Sequence, residues 1–145
     1  MTILDTNVLS ELMKLKPSSR VVAWVAQQSA SELATTTITE AEIFYGIEQR
    51  AKGRRREALL AAAEGVFVED LLSGEPEGRV FGFESEAARA FSKIAARRRA
   101  LGKPISHADA QIAAIAVVRV ARVATRNVVD FADCGIEVVD PWEGA

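Results

Sequence analysis

The chain has one cysteine, Cys134, and one histidine, His107, among 145 residues. A single thiol excludes an internal disulfide and fits a reducing compartment. Cys134 and His107 together cannot supply a thiolate or imidazole zinc site of ordinary ligand count. Glycine (9) and proline (4) are sparse. No glycine-rich phosphate loop, G-x-G-x-x-G or G-x-S-x-G occurs, which sets aside nucleotide-loop and nucleophile-elbow chemistry. No apolar run approaches the roughly 20 residues that span a bilayer, and the longest, Ala108 to Val118, contains Asp109 and Gln111. Asp5 interrupts the N-terminal apolar stretch at once and no basic region precedes it, so no signal peptide is expected. A large excess of charge is also missing: the net charge is -2, which excludes a basic nucleic-acid coat. The expectation is a soluble cytoplasmic protein without membrane association.

Local charge is less even than the total. Arg50, Lys52, Arg54, Arg55 and Arg56 form one basic cluster, and Arg97, Arg98, Arg99 and Lys103 another. Each reads either as a surface that steers an anionic partner or as a solvated helix end whose cations suit the dipole.

At this length one domain spanning 1–145 is expected, and strands alternate with helices along it. Thr2 to Leu4 reads as a strand, followed by a helix over Val8 to Met13. Pro17 breaks that helix and a second follows, with Val21, Val22, Trp24 and Val25 on its apolar face. Ala34 to Ile38 reads as a strand. Thr39 is then the expected cap of a helix with Ile43, Phe44 and Ile47 at helical spacing. Gly53 separates it from a helix through Ala58 to Ala63. Leu71 to Gly78 reads as a loop, Val80 to Phe83 as an edge strand, and Glu84 to Leu101 as a helix. Ser106 caps the most apolar helix, Ala108 to Val120, which belongs in the interior. Arg122 to Thr125 and Ile136 to Val139 complete the set of strands. The order implies an α/β fold with a largely parallel sheet.

Against this layout, acids recur at strand-to-helix joints. Asp5 follows the first strand, Glu42 lies in the first turn after the second, and Asp109 lies in the first turn of the interior helix. Each has a local reason to exist: Asp5 as a cap, Thr39-x-x-Glu42 as a capping box, Ser106-x-x-Asp109 as a near copy of one. In open α/β sheets, however, ligands collect beyond the carboxyl ends of the strands. Carboxylates crowd there only if a positive group holds them, and a hard divalent cation with oxygen ligands is the usual one. Asn127 and Asp130 form a fourth corner after Thr125, on one face if that turn is helical. His107 reads as an exposed helix-start residue and Cys134 as a small buried one.

These segments resemble the PIN-domain ribonucleases that act as toxins of VapBC-type toxin–antitoxin pairs, on the FitB-like side of the family. The resemblance rests on Leu4-Asp5-Thr6-Asn7-Val8 and on Glu42 to Ile47. It continues through Ile105 to Ala114, Ala124-Thr125-Arg126-Asn127 with Asp130-Phe131, and Asp140-Pro141-Trp142. In order and at matching intervals, they cover essentially the whole chain. The resemblance implies a PIN-like three-layer fold with a mostly parallel sheet of four to five strands flanked by helices. It also implies an acidic pocket for Mg²⁺ or Mn²⁺, with Asp5, Glu42 and Asp109 as ligand-bearing acids and Asn7 and Thr125 as orienting residues. Many relatives carry Asp where Asn127 stands, and Asp130 is the substitute or auxiliary at that corner.

The function so implied is metal-assisted hydrolysis of RNA phosphodiesters by a toxin. Asp5 and Asp109 hold the principal metal; Glu42, Asn127 and Asp130 act directly or through water. The implied partners are a VapB/FitA-like antitoxin, the RNA substrate, operator DNA reached through the antitoxin, and a second copy of the chain. The alternative is a catalytically weak PIN-domain binding partner, acting mainly in an antitoxin complex on operator DNA, with Asn127 marking the weakened site. A phosphatase with Asp5 as nucleophile ranks last, because the second acid it wants two residues on is Asn7.

Overall fold

The structure, a computed structural model, describes residues 1–70 and 79–143. The expected loop at Leu71 to Gly78 lies outside the described residues. Five strands form one sheet: β1 (Thr2–Leu4), β2 (Leu33–Thr36), β3 (Val80–Phe81), β4 (Arg122–Ala124) and β5 (Val138–Val139). Every pairing is parallel, and the spatial order is β3-β2-β1-β4-β5. Helices α1 (Thr6–Leu12), α2 (Ser19–Gln27), α3 (Thr37–Glu48), α4 (Arg54–Glu64), α5 (Ser85–Ala100) and α6 (His107–Arg119) connect them.

Side-chain alternation along the strands separates two cores. Ile3, Ala34 and Val123 join the core under α5 and α6, whereas Leu4, Leu33 and Ala124 join the one under α1 to α4. The strands are therefore apolar on both faces, as a parallel sheet between two helical layers requires. Helix α6 buries Ala110, Ile112, Ala113, Ala114, Ile115 and Ala116. Its alanines let α5 and the sheet approach closely, and each buried isoleucine contributes about 1.5–3 kcal/mol. On the other face Trp24 is 2% exposed, and Val21 beside it is fully buried. Val22, expected on the same apolar face, is 43% exposed instead.

The sheet resolves the four-to-five expectation at five strands, with β3 on an edge as expected. The Ala34 to Ile38 expectation ran too far: the strand stops at Thr36, and Ile38 lies in the first turn of α3. Thr36, not Thr39, is the cap, accepting from Thr39 N–H at 3.1 Å. The capping box predicted for Thr39 and Glu42 therefore does not form. Ser106 does cap α6, accepting from Asp109 N–H at 3.2 Å. Among the described residues, no helix is long and apolar enough to cross a membrane.

Candidate functional site

The sheet order fixes where a site belongs. Connections run outward from β1 through β2 to β3, then return to add β4 and β5 on the other side. The carboxyl ends of β1 and β4 thus flank the point at which the winding reverses, where open α/β sheets leave a crevice. Asp5 is the first residue beyond β1, and Thr125 the first beyond β4. The Asp5 backbone N–H donates to Ala124 O at 3.0 Å, which extends the ladder by one bond and fixes the side chain at the crevice.

Asp5 is 5% exposed and uses both carboxylate oxygens. Oδ1 accepts from Thr6 N–H at 2.8 Å, which caps α1; Oδ2 accepts from Thr125 Oγ1 at 2.7 Å and from Asn7 Nδ2 at 3.3 Å. Asn7 Oδ1 in turn accepts from the Arg126 N–H at 3.2 Å. Capping and presentation to the crevice therefore coexist in one side chain. The two residues the resemblance marked as orienting, Asn7 and Thr125, are both bonded to it.

Glu42 reaches the site by another route. It is exposed on α3, and Thr6 Oγ1 donates to its Oε1 at 2.7 Å while lying 3.1 Å from the buried Thr39 Oγ1. Thr6 is the residue sequence reasoning missed. The only available signal was a hydroxyl directly after Asp5. Asp109 is half-buried in the first turn of α6. Asn127 precedes a short 3₁₀ turn, Val128–Phe131, whose Asp130 N–H donates to Asn127 O at 3.0 Å. Both side chains of this corner are exposed, and Asn127 makes no side-chain cap bond. The Asn127 N–H donates to Thr125 Oγ1 at 3.1 Å, tying that turn to the same hydroxyl that holds Asp5.

The acids feel one another. Burial pushes the Asp5 carboxyl up to about 6, against the opposing bonds from Thr125 and Thr6; the charges of Asp109 and Glu42 push the same way as burial. Asp109 is likewise raised, chiefly by burial, with Asp130 and Glu42 adding to it and Ser106 and Arg98 opposing. Asp5 and Asp109 are thus both raised, and the charge of Glu42 contributes to each. The donor set is all oxygen and net negative, which suits a hard divalent cation better than zinc or copper. Among the described residues, no three His, Cys, Asp or Glu side chains gather closely enough to hold one ion unaided. Mg²⁺ rarely needs such a cage, since one or two carboxylates with water and substrate phosphate complete its octahedron.

Two surroundings bear on access. A groove of about 260 Å³ opens from Thr6 and Glu42 over an apolar floor that includes Ile47 and Leu59, with Lys14, Arg50 and Arg55 at its rim. A roomier hollow of about 520 Å³, between the start of α5 and the end of α6, holds none of the predicted site residues. The second basic cluster is not uniform: Arg97 and Arg99 are exposed, Lys103 Nζ faces Asp133 at 3.8 Å, and Arg98 is buried. In the first cluster Arg56 is committed to Glu48 at 2.9 Å. His107 is exposed and leans on Phe91, with ring centroids 5.4 Å apart.

Fold and site together define a class: a small three-layer α/β domain whose parallel sheet presents coupled carboxylates at its winding switch. Comparison with known proteins narrows it. The PIN domain family model matches residues 2–134. A VapC ribonuclease of Sinorhizobium fredii is 37% identical over 145 residues, covering 100% of both chains. Toxin FitB of Neisseria gonorrhoeae is 32% identical over 142 residues, 98% of this chain and 99% of its own. The structure of FitAB bound to an IR36 DNA fragment matches with a TM-score of 0.88 at 30% identity, covering 98% of this chain and 96% of that one. The chain belongs to the PIN-domain family, among its VapC- and FitB-like members.

Proposed function

We propose that the chain is a metal-dependent endoribonuclease and the toxin of a type II toxin–antitoxin pair. The observation that carries this reading is Asp5, buried beyond β1 at the sheet's switch point with both carboxylate oxygens held, and Glu42 tied to the neighbouring Thr6. A relative that is a VapC ribonuclease and another that is toxin FitB support it. Asp5 and Asp109 would hold Mg²⁺ or Mn²⁺, with Glu42, Asn127 and Asp130 contributing directly or through water. When bound, the metal supplies an activated water and stabilises charge on the phosphate during in-line displacement.

The chain's own residues do the rest. Thr125 and Asn7 hold Asp5 in one orientation through three hydrogen bonds among the three side chains. Thr6 restrains Glu42, an exposed side chain that would otherwise lose about 0.5–1.5 kcal/mol of rotamer freedom on being ordered. The Lys14, Arg50 and Arg55 rim offers a path for an anionic strand toward the acids. The FitAB–DNA complex supports a VapB/FitA-like antitoxin as partner, with DNA bound by the pair. We propose further that the DNA is the operator, reached through the antitoxin, and that the toxin is a homodimer working in the cytoplasm.

The test is cleavage of single-stranded RNA with Mg²⁺ or Mn²⁺, with and without chelator, for wild type, Asp5→Asn and Asp109→Asn. Chelation and either substitution should each reduce the rate about 100-fold or more. Either variant cutting at the wild-type rate would overturn the assignment. A second reading is favoured by Asn127, a neutral side chain at the fourth corner of the site: a catalytically weak partner that acts through an antitoxin. Calorimetric titration with Mn²⁺ beside the cleavage assay separates them, since this partner would neither bind the metal tightly nor cut.

A further inference from the structure

We propose that Arg98 is a positioning residue for the acid site: its buried guanidinium pins the segment leading into α6, which carries Asp109, to the turn after β4, which carries Asp130. The proposal rests on the reading of that site as a metal-dependent nuclease. Arg98 is 5% exposed although Arg97 and Arg99 on either side are exposed. Its Nε donates to Lys103 O at 2.7 Å, three residues before the Ser106 cap of α6. Its Nη1 donates to Asp130 O at 2.8 Å and Ala132 O at 3.0 Å, and lies 3.8 Å from Cys134 Sγ. One side chain on α5 therefore fixes the main chain of both segments that bring acids to the crevice from this side of the sheet.

Burying a cation is costly unless its donors are satisfied and a counter-charge lies near. Among the described residues, Arg98 bonds carbonyl oxygens and one sulfur and makes no ion pair. Part of the compensation is the carbonyl end of the α5 dipole, since Arg98 lies in the last turn of that helix. The remainder comes from the carbonyl oxygens of Lys103, Asp130 and Ala132, whose negative dipole ends face the guanidinium. A guanidinium suits this task because its rigid planar fork reaches several carbonyls at once, whereas an ammonium is a single point. Arg98 bonds the backbone of Asp130, not its carboxylate, so it sets where that carboxylate starts without competing for a ligand.

The experiment compares the full chain with Arg98→Lys, Arg98→Gln and Ile94→Ala. Ile94 is 6% exposed on the same helix, so its truncation loosens α5 without touching the tie and serves as a stability control. Readouts are thermal stability, Mn²⁺ affinity by calorimetry, and kcat and KM on single-stranded RNA. Both Arg98 variants should bind Mn²⁺ about 10- to 100-fold more weakly and lose kcat with KM nearly unchanged, the lysine less severely. Ile94→Ala should lose stability and keep its Mn²⁺ affinity. Wild-type Mn²⁺ affinity and kcat in a folded Arg98→Lys or Arg98→Gln would overturn the proposal, as would equal weakening in Ile94→Ala. A wild-type chain that neither binds Mn²⁺ nor cuts RNA would instead overturn the nuclease reading, and this one with it.

Discussion

Thr125 donates its hydroxyl proton to Asp5 Oδ2 at 2.7 Å, joining the ends of two neighbouring strands through side chains as well as backbone. Thr125 Oγ1 itself accepts from Asn7 Nδ2 and from the Asn127 N–H, each at 3.1 Å. Both of those partners can only donate here, so the one hydroxyl proton is committed to the carboxylate. Thr125 is fully buried, and its hydroxyl uses its one donor and both acceptor sites. Asp5 is thereby oriented by the fold before any ligand arrives.

Burying the Asp5 carboxylate is costly to folding, only partly offset by those bonds, and Asp5→Asn should expose the cost. The Asp5 carboxyl rises from 3.8 to about 6 in the folded chain. Between those values the folded protein holds a proton that the unfolded one lacks. The Asp5 contribution to stability is therefore intact below pH 3.8, falls as pH rises across the window, and is lost above about 6. At neutral pH the penalty is at most about 3 kcal/mol, less the bonds that an amide makes poorly in place of the carboxylate. Asp5→Asn should be more stable than wild type at pH 7.5 by about 1–2 kcal/mol and lose that advantage near pH 4. Urea melts at several pH values measure it. A variant less stable at both would show that the carboxylate is not under strain.

Thr125→Val keeps the shape and removes the hydroxyl. The metal-free variant should titrate Asp5 at higher pH than wild type, because the bond that favours the charged form is gone. It should also lose about 1–3 kcal/mol, since Asn7 Nδ2 and the Asn127 N–H lose their acceptor. Thr125→Ser should restore both. Carboxyl carbon NMR of labelled Asp5 reports the first effect, and an unmoved titration would refute this account.

Much of this was written in the chain, and the failures have a common cause. Asp5 and Asp109 were legible because strand-to-helix joints carry local signals: an apolar triplet before Asp5, and a Ser106 cap before Asp109. The local partner of Glu42 was misread as the Thr39 cap. Thr35, Thr36, Thr37 and Thr39 have the same propensity, so the cap is decided by register, and β2 pairing with β3 at Thr36↔Phe81 holds Thr36 in extended backbone. Glu42 then answers to Thr6, which is 36 residues away in sequence. Arg98 was unreadable among its neighbours. Its burial depends on where the turn after β4 packs, and nothing local distinguishes it from Arg97.

The junction between α6 and β4 offers a test of backbone strain. Val120 stands at φ 51 and ψ 44, left-handed backbone, and its side chain is 91% exposed. A β-branched residue there costs roughly 1–2 kcal/mol without packing to offset it. The Ala121 N–H donates to Ala116 O at 2.9 Å, a closing bond that needs this conformation. Val120→Gly should therefore raise stability by about 0.5–1 kcal/mol, since relief of strain exceeds the extra entropy of an unfolded glycine. Val120→Pro, which cannot adopt positive φ, should lose several times as much. Thermal denaturation orders the three, and a destabilised glycine variant would contradict the strain.

The groove beside the acids predicts how cleavage responds to salt. Lys14, Arg50 and Arg55 line it, and it opens at Thr6 and Glu42. A single strand laid along that rim releases about 0.7 counterion per phosphate neutralised, so binding weakens with salt in proportion to the contacts made. The double substitution Arg50→Ala with Arg55→Ala should reduce the slope of log(kcat/KM) against log salt by roughly 1–1.5. It should leave kcat at saturating RNA near wild type, because neither arginine touches the carboxylates. Arg56→Ala is the internal control. Its guanidinium is already engaged by Glu48 and by Ile47 O, so removing it should cost some stability of the α3–α4 hairpin and leave the slope alone. Were Arg56→Ala to flatten the salt dependence as much as the double variant, the strand would lie over the hairpin's outer surface and not along this groove.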